Sequence, residues 1–362
     1  MADRTVAVVG AGGFIGNRIV EMLHLTGEYE VRPVVRRASS LALARRFDID
    51  GRIADALDVE AMRVALSGCD VVIHAVAGDN ATIVGSAEAV HEAVLGAGGR
   101  RFIYLSSAMV HGQSPPPGCN ETAPLSQRQP IAYNNAKVLA EKRLRVLNRN
   151  SGMELAILRP GIVYGPRSQW IGGLADSMLA GHACLVEGGL GLCNAVYVDN
   201  LVEAVMHCFD APEAVNEAFL IGEPEVPTWI EFYGRIAAAL NIEVSAIPSV
   251  SFVPQRPSLK DKVDGLRRTR PVRAILRSFP RRLQRGLAAF WQAAGAMPSE
   301  HAPGAAATLE FAMLHRARHV PSWEKVRRLL GYEPSVPVEE AWQRTIAWMR
   351  FAGYPVTGDG DG

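Results

Sequence analysis

The apolar positions of this chain come in short blocks separated by turn residues. Val6–Val9 is a continuous apolar run, the length of a buried strand, and glycines follow at 10, 13 and 16. Ile15, Ile19, Met22 and Leu23 then recur at helical spacing, and Val31–Val35 is strand-like again. The alternation continues. "DVVIHAVAG" predicts a buried strand over Val71–Val76, "RRFIYLSS" another that ends at Ser106 and Ser107, and Leu155–Tyr164 a further sheet strand. "AYNNAKVLAE" has no Gly or Pro and predicts a helix, which puts Tyr133 and Lys137, four apart, on one face. "LVEGGLGLCNAVYVDNLVEAVMHCFD" predicts a strand and then a helix with Asp199 as its cap, and Thr228 followed by Glu231 predicts a capping box. Strands that alternate with helices in this way predict an α/β fold with a parallel, doubly wound sheet.

The bulk numbers add bounds. At 362 residues, 48% apolar and 21% charged, the chain is long enough for one large α/β domain with a smaller one attached. A net charge of +1 singles out no class of partner. Cys69, Cys119, Cys184, Cys193 and Cys208 are scattered, odd in number and without a C-x-x-C pair, which fits buried free thiols in a reducing cytosol better than disulfides or zinc. The first residues run straight into a strand without a long apolar leader, and there is no 18-residue apolar stretch, so the expectation is a cytoplasmic protein. Three histidines are candidates for metal ligands. His74 sits inside a predicted strand and reads as a core residue, while His315 and His319 could share a helix face but lack a third ligand; no metal site is expected.

The glycine turn is the first piece of chemistry. In a strand–turn–helix unit, small residues permit a tight bend, close approach of backbone to a pyrophosphate, and close helix–strand packing; the helix N-terminus then presents N–H groups to phosphate. Gly10, Gly13 and Gly16 at the head of such a unit predict dinucleotide binding. The residue after the second strand discriminates between cofactors, because a carboxylate there would bond the ribose 2′-OH of NAD and an arginine accommodates the 2′-phosphate of NADP. Arg36 and Arg37 stand there, with Ser39 and Ser40 close by and no carboxylate between Val31 and Ser40. NADP is therefore favoured over NAD. Asp55 falls in a loop where its carboxylate would meet the adenine amine, and small residues end the strand that contains His74. Ser107 lies beyond the carboxyl end of a strand, the edge at which open parallel sheets bind ligands.

Taken in order, "GAGGFIG", "DVVIHAVAG", "YLSSAMVHG", "YNNAK" 26 residues after Ser107, "LRPGIVYGP" and "VYVDNLVEAV" resemble the extended short-chain dehydrogenases/reductases, the NAD-dependent epimerase/dehydratase family. The resemblance covers about residues 5–240 and returns at "SWEKVRRLLGYEPSVPVEEAWQRTIAW". It implies a Rossmann sheet with a smaller C-terminal α+β substrate lobe, a homodimer, and a small-molecule substrate. It also implies Tyr133 as general acid/base, Lys137 as the group that lowers the phenol's pKa and holds the nicotinamide ribose, and Ser107 as the hydrogen-bond donor to the substrate oxygen. Phe14 and Ile15 at the head of the first helix, Ala56 beside Asp55, Ala75, and Pro160 complete the cofactor-binding set implied. The expected activity is hydride transfer at a secondary alcohol or ketone, with nucleotide-sugar epimerisation or keto-sugar reduction as the alternative and a non-catalytic NADP sensor as a third reading. Departures narrow the field. Ser107-Ala108-Met109 stands where 4,6-dehydratases carry Thr-Asp-Glu, Ile162 where sugar-nucleotide enzymes commonly carry Asn, His111 where an aromatic residue is usual, and "DNATIVGS" is short. Together they favour a substrate less centred on phosphate.

The resulting division is 1–165 for cofactor, 166–195 for substrate, 196–222 back in the cofactor domain, 223–354 for the substrate lobe, and 355–362 a tail. Residues 256–295 form a basic insertion. From Arg256 to Arg285 there are eleven Lys/Arg and two Asp, and Val272, Ile275, Leu276 and Phe279, then Leu283, Leu287, Phe290 and Trp291, fall on helical faces. A lid over the substrate pocket is the favoured reading, with peripheral membrane contact through 256–291 as its rival. Nucleic acid is not expected, since no reading motif accompanies the charge.

Overall fold

The computed structural model describes residues 4–252 and 308–357. The basic insertion and the end of the tail lie outside these residues. Seven strands form one parallel sheet: β1 (Thr5–Val9), β2 (Glu30–Val35), β3 (Arg52–Ile53), β4 (Val71–His74), β5 (Arg101–Leu105), β6 (Glu154–Pro160) and, after three strands outside this sheet, β10 (Glu217–Ile221). Their spatial order is β10-β6-β5-β4-β1-β2-β3. Because every connection is a crossover between parallel strands, helices must cover both faces, and they do. On one face lie α2 (Val59–Ala65), α3 (Asn80–Ala97) and α4 (Ala132–Asn148). On the other lie α1 (Phe14–Thr26) and α6 (Val198–His207). Ile19, Val20 and Leu23 of α1 are completely buried under β1 and β2. Truncating any one to Ala would cost about 2–5 kcal/mol, the usual price of a filled core position.

The remaining elements build a second layer of packing continuous with the α1/α6 face. They are β7 (Ile162–Tyr164), α5 (Gln169–Leu179), β8 (Leu185–Val186), β9 (Ala195–Tyr197), α7 (Trp229–Ala239), β11 (Ser249–Val250), α8 (Leu309–His315), α9 (Glu324–Leu330) and α10 (Val338–Phe351). Two small parallel pairs, β7 with β9 and β8 with β11, stand apart from the main sheet. Thr228 starts α7 with the expected capping box: its hydroxyl faces the Glu231 N–H while the Glu231 carboxylate accepts from the Thr228 N–H at 2.7 Å.

Three local expectations are corrected. The strand expected over Val71–Val76 stops at His74; the Ala75 N–H makes a last bond to the Val9 carbonyl at 2.8 Å and the chain then turns along the sheet edge. The single strand expected over Leu155–Tyr164 is two, broken at Gly161. There the chain leaves the main sheet, Ile162 donates to the Asn194 carbonyl at 2.7 Å, and a Cβ on residue 161 would stand 2.2 Å from that oxygen. Asp199 is not a cap: Tyr197 occupies that position, and Asp199, buried in the first turn of α6, is held by Arg18 (2.6 and 2.7 Å) and Arg344 (2.9 Å). An aspartate in that turn also faces the positive end of the helix dipole. All five cysteines are buried and free.

Candidate active site

The strand order reverses between β1 and β4, and a crevice opens there beyond the carboxyl ends, where ligands of open α/β sheets bind. Its narrowness is set by the glycines. Gly10 has φ +91°, and a Cβ on it would stand 2.7 Å from the Ala75 carbonyl oxygen. A Cβ on Gly16 would stand 2.4 Å from the Gly10 carbonyl oxygen, so only glycine lets α1 lie this close to the turn. Gly13 is the N-cap of α1 and brings no side chain to the first free N–H groups, which are left for another acceptor. Beside this turn is a cleft of about 290 Å³, lined among others by Gly10, Gly13, Arg36, Asp55, Ala56 and Ala75.

Arg36 and Arg37 both face this cleft and both are exposed. Among the described residues no carboxylate pairs with either, whereas Arg32, nearby on β2, is taken by Glu30 and Asp50. Asp55 is held in its turn by the Leu57 N–H at 3.1 Å and stays exposed at the cleft. The other expected cofactor residues lie around the cleft rather than in its walls. Phe14 and Ile15 open α1 half-buried, Gly16 packs behind the turn, Pro160 ends β6 in the interior, and Lys137 is on α4.

Ser107 follows β5 and caps a short turn, Ala108–His111, by accepting from the Met109 N–H at 3.2 Å. Tyr133 stands in the first turn of α4, with its phenol near enough to the Ser107 hydroxyl for that group to pull its pKa down. Lys137 is one turn on, as the four-residue spacing requires. It is 5% exposed, donates to the Leu105 carbonyl at 2.8 Å, and lies 5.0 Å from the centre of the Tyr104 ring. The fold thus brings Ser107 and Tyr133 near one another, but turns the Lys137 amine towards the backbone of β5.

The Lys137 amine is not among the groups that shift the Tyr133 phenol here. The pKa of Tyr133 is raised: although 36% of its surface stays exposed, crowding around the phenol desolvates it, the nearby Ser107 hydroxyl opposes this, and Glu310 adds to the rise. Burial pushes Lys137 itself down to about 8, against the pull of Glu141. His74 is fully enclosed, bonds Ser86 at 3.0 Å, and is pushed down to about 3, first by burial and then by Lys137; it is a core residue.

Two groups of polar residues here were not anticipated. Glu141, four residues after Lys137 and fully buried, accepts two bonds from Arg159 on β6 at 2.6 and 3.0 Å and one from Ser106 at 2.5 Å. Arg159 in turn meets His111 at 3.1 Å, and burial followed by that guanidinium pushes the imidazole down to about 4, so it stays neutral. The i, i+4 spacing of Lys137 and Glu141 was the available signal. The second group is Gln113, paired with Asn134 at 2.9 and 3.1 Å and reaching Glu310 of α8 at 3.5 Å. Nothing local in the sequence ties residue 310 to residue 133. His315 is stacked on Trp229 with centroids 4.5 Å apart and accepts from the Val186 N–H, while His319 lies past the end of α8, so the two share no helix face. Among the described residues no three His, Cys, Asp or Glu side chains gather to hold a metal, and no helix is long and apolar enough to cross a membrane.

Comparison with known proteins adds to this geometry. The profile of the NAD dependent epimerase/dehydratase family matches residues 6–222. A UDP-glucose 4-epimerase of Vibrio cholerae is 28% identical over 270 residues, 68% of this chain and 78% of its own. A 3 beta-hydroxysteroid dehydrogenase/Delta 5-->4-isomerase of Mycobacterium tuberculosis is 30% identical over 252 residues, 63% of this chain and 67% of its own. Among solved structures, a dTDP-glucose 4,6-dehydratase of Streptomyces venezuelae with NAD and TYD bound shares the fold, at a TM-score of 0.70 and 20% identity over 96% of this chain and 97% of its own.

Proposed function

The chain belongs to the NAD dependent epimerase/dehydratase family, and on that premise we propose that it is an NADP-preferring oxidoreductase acting on a secondary alcohol or its ketone. The observation that supports this reading is the placement of Ser107 and Tyr133 beside one another at the carboxyl edge of the sheet, next to a glycine-walled cleft. The residues fit a dinucleotide: backbone closeness at Gly10 and Gly16, free N–H groups at the head of α1, and cations at Arg36 and Arg37 that no carboxylate among the described residues pairs. In this reading the α1 N-terminus holds the pyrophosphate, Arg36 the 2′-phosphate, Asp55 with Ala56 the adenine end, and Phe14, Ile15, Ala75, Lys137 and Pro160 the remaining surface. Residues 1–165 and 196–222 serve the cofactor, and 166–195 with 223–354 the substrate. When bound, the nicotinamide supplies or accepts the hydride.

The chain's own part is to place and move a proton. The Ser107 hydroxyl orients the substrate oxygen. The Tyr133 phenol, kept protonated by crowding and by the Glu310 charge, gives its proton to that oxygen as charge develops on it. A phenol held in this form suits carbonyl reduction. Ser107-Ala108-Met109 carries no carboxyl group to drive loss of water, so dehydration is not proposed. Epimerisation of a nucleotide sugar, the activity named for the Vibrio cholerae relative, is the second reading, because the same proton transfer serves it. It predicts tightly held nucleotide and no net redox change. The test is titration with NADPH and NADH, followed by NADPH consumption against a panel of ketones. Tighter NADPH binding, reversed by Arg36→Asp, and ketone-dependent consumption are expected. Preference for NADH, or sugar-nucleotide interconversion without consumption, would overturn the reading.

A further inference from the structure

A cavity of about 200 Å³ opens between β7, β9, α7 and α10, and its lining residues include none of those that wall the nucleotide cleft. Its inner wall is aromatic. Tyr164 stacks on Trp342 with centroids 5.1 Å apart, and Phe232 meets the same indole edge-on at 5.2 Å. Tyr164 is only 3% exposed, yet its hydroxyl makes no hydrogen bond to any described residue. That hydroxyl is not among the fully enclosed, unpartnered ones, as those of Tyr104 and Tyr332 are, and its residue lines the cavity. A phenol buried to this degree without a partner costs stability unless something else meets it.

Carboxylates line the cavity around that hydroxyl, and the charge of the Arg235 guanidinium reaches it as well. Glu223 and Glu225 line the cavity, and among the described residues neither forms a direct ion pair, although the charge of Glu225 reaches Arg235. One oxygen of Glu223 accepts from the Tyr197 N–H and from the Asn200 amide, both at 2.9 Å, which fixes the carboxylate and leaves its second oxygen free. The charge of Glu223 is felt at the Tyr164 hydroxyl. Glu339, the third carboxylate of the lining, is neutralised by Arg235 at 2.7 Å.

We propose that this cavity is a binding site for a small organic cation, a primary or quaternary alkylammonium, held by Glu223 and the Tyr164 hydroxyl against the Trp342 and Phe232 rings. An aromatic wall attracts such a cation through its ring faces, and a fixed carboxylate supplies the opposite charge. A cavity of this size takes a headgroup and a few carbons, not a nucleotide. The site is separate from the one proposed for the cofactor and stands or falls independently of it.

The test is calorimetric titration of the full chain with butylammonium and with tetramethylammonium, using a neutral analogue of the same heavy-atom count for each, butan-1-ol and tert-butanol, as controls. Saturable binding of at least one cation is expected, with its neutral analogue at least tenfold weaker. Glu223→Gln keeps an oxygen for the Tyr197 and Asn200 donors, so it should fold and weaken the cation at least tenfold. Tyr164→Phe should weaken butylammonium severalfold, and both variants should bind NADPH as the unaltered chain does. No saturable binding of either cation, equal binding of the neutral analogues, or undiminished binding to Glu223→Gln would each overturn the proposal.

Discussion

Replacing Lys137 by Met separates what this residue does for function from what it costs the fold. The side chain is 5% exposed, and burial lowers its pKa from 10.5 to about 8. That fall corresponds to about 3 kcal/mol by which the native state disfavours the ammonium. The sign follows from proton binding. Between pH 8 and 10.5 the unfolded chain carries a proton on Lys137 that the native chain does not, so stability rises with pH across this window. The penalty is present in full below pH 8. Met keeps the unbranched shape and removes the charge, but it strips the Leu105 carbonyl of the bond it now receives at 2.8 Å, a loss of about 1–2 kcal/mol. The balance favours the variant by roughly 1–2 kcal/mol at pH 7. Urea unfolding of the nucleotide-free protein at pH 7, 8, 9 and 10.5 measures it. Lys137→Met should be more stable at pH 7, the advantage should fade towards pH 10.5, and turnover should be lost. A variant less stable at pH 7, or a difference that does not change with pH, would show that the amine is not under the strain described.

Other consequences follow from the same geometry. Gly10→Ala forces a positive φ on a residue with a Cβ and drives that atom against the Ala75 carbonyl, so it should cost about 1–3 kcal/mol in thermal or urea unfolding and weaken nucleotide binding measured by fluorescence. Arg159→Met leaves Glu141 buried without its partner and should cost about 3–5 kcal/mol, whereas the double change Glu141→Leu with Arg159→Met should restore much of the loss. Equal losses in the single and double variants would argue that the pair is not what the single change breaks.

How much of this was readable in advance depends on how local each feature is. The glycine turn, the helix that carries Tyr133 and Lys137, and the Thr228 capping box are fixed by residues within a few positions of one another, so pattern and spacing reveal them. The break at Gly161 was not readable, because its cause is the backbone of Asn194, a segment that reaches residue 161 only through the fold. Asp199 had the composition of a cap, but its partners Arg18 and Arg344 come from opposite ends of the chain. The Glu141–Arg159 pair joins a helix to a strand, and Glu310 enters from a helix far along the chain, so neither leaves a periodic trace. The groups that crowd the phenol, Glu310 among them, are therefore not visible in the Tyr133–Lys137 spacing.

The central claim is that Tyr133 delivers the proton, and one rate constant tests it most directly. Single-turnover oxidation of bound NADPH by a reducible ketone, followed at the nicotinamide absorbance, should slow on the order of 10²–10⁴-fold in Tyr133→Phe while the NADPH dissociation constant stays unchanged. A rate within a few fold of the unaltered chain's would contradict the account, because the phenol would then be a neighbour of the reaction rather than its acid.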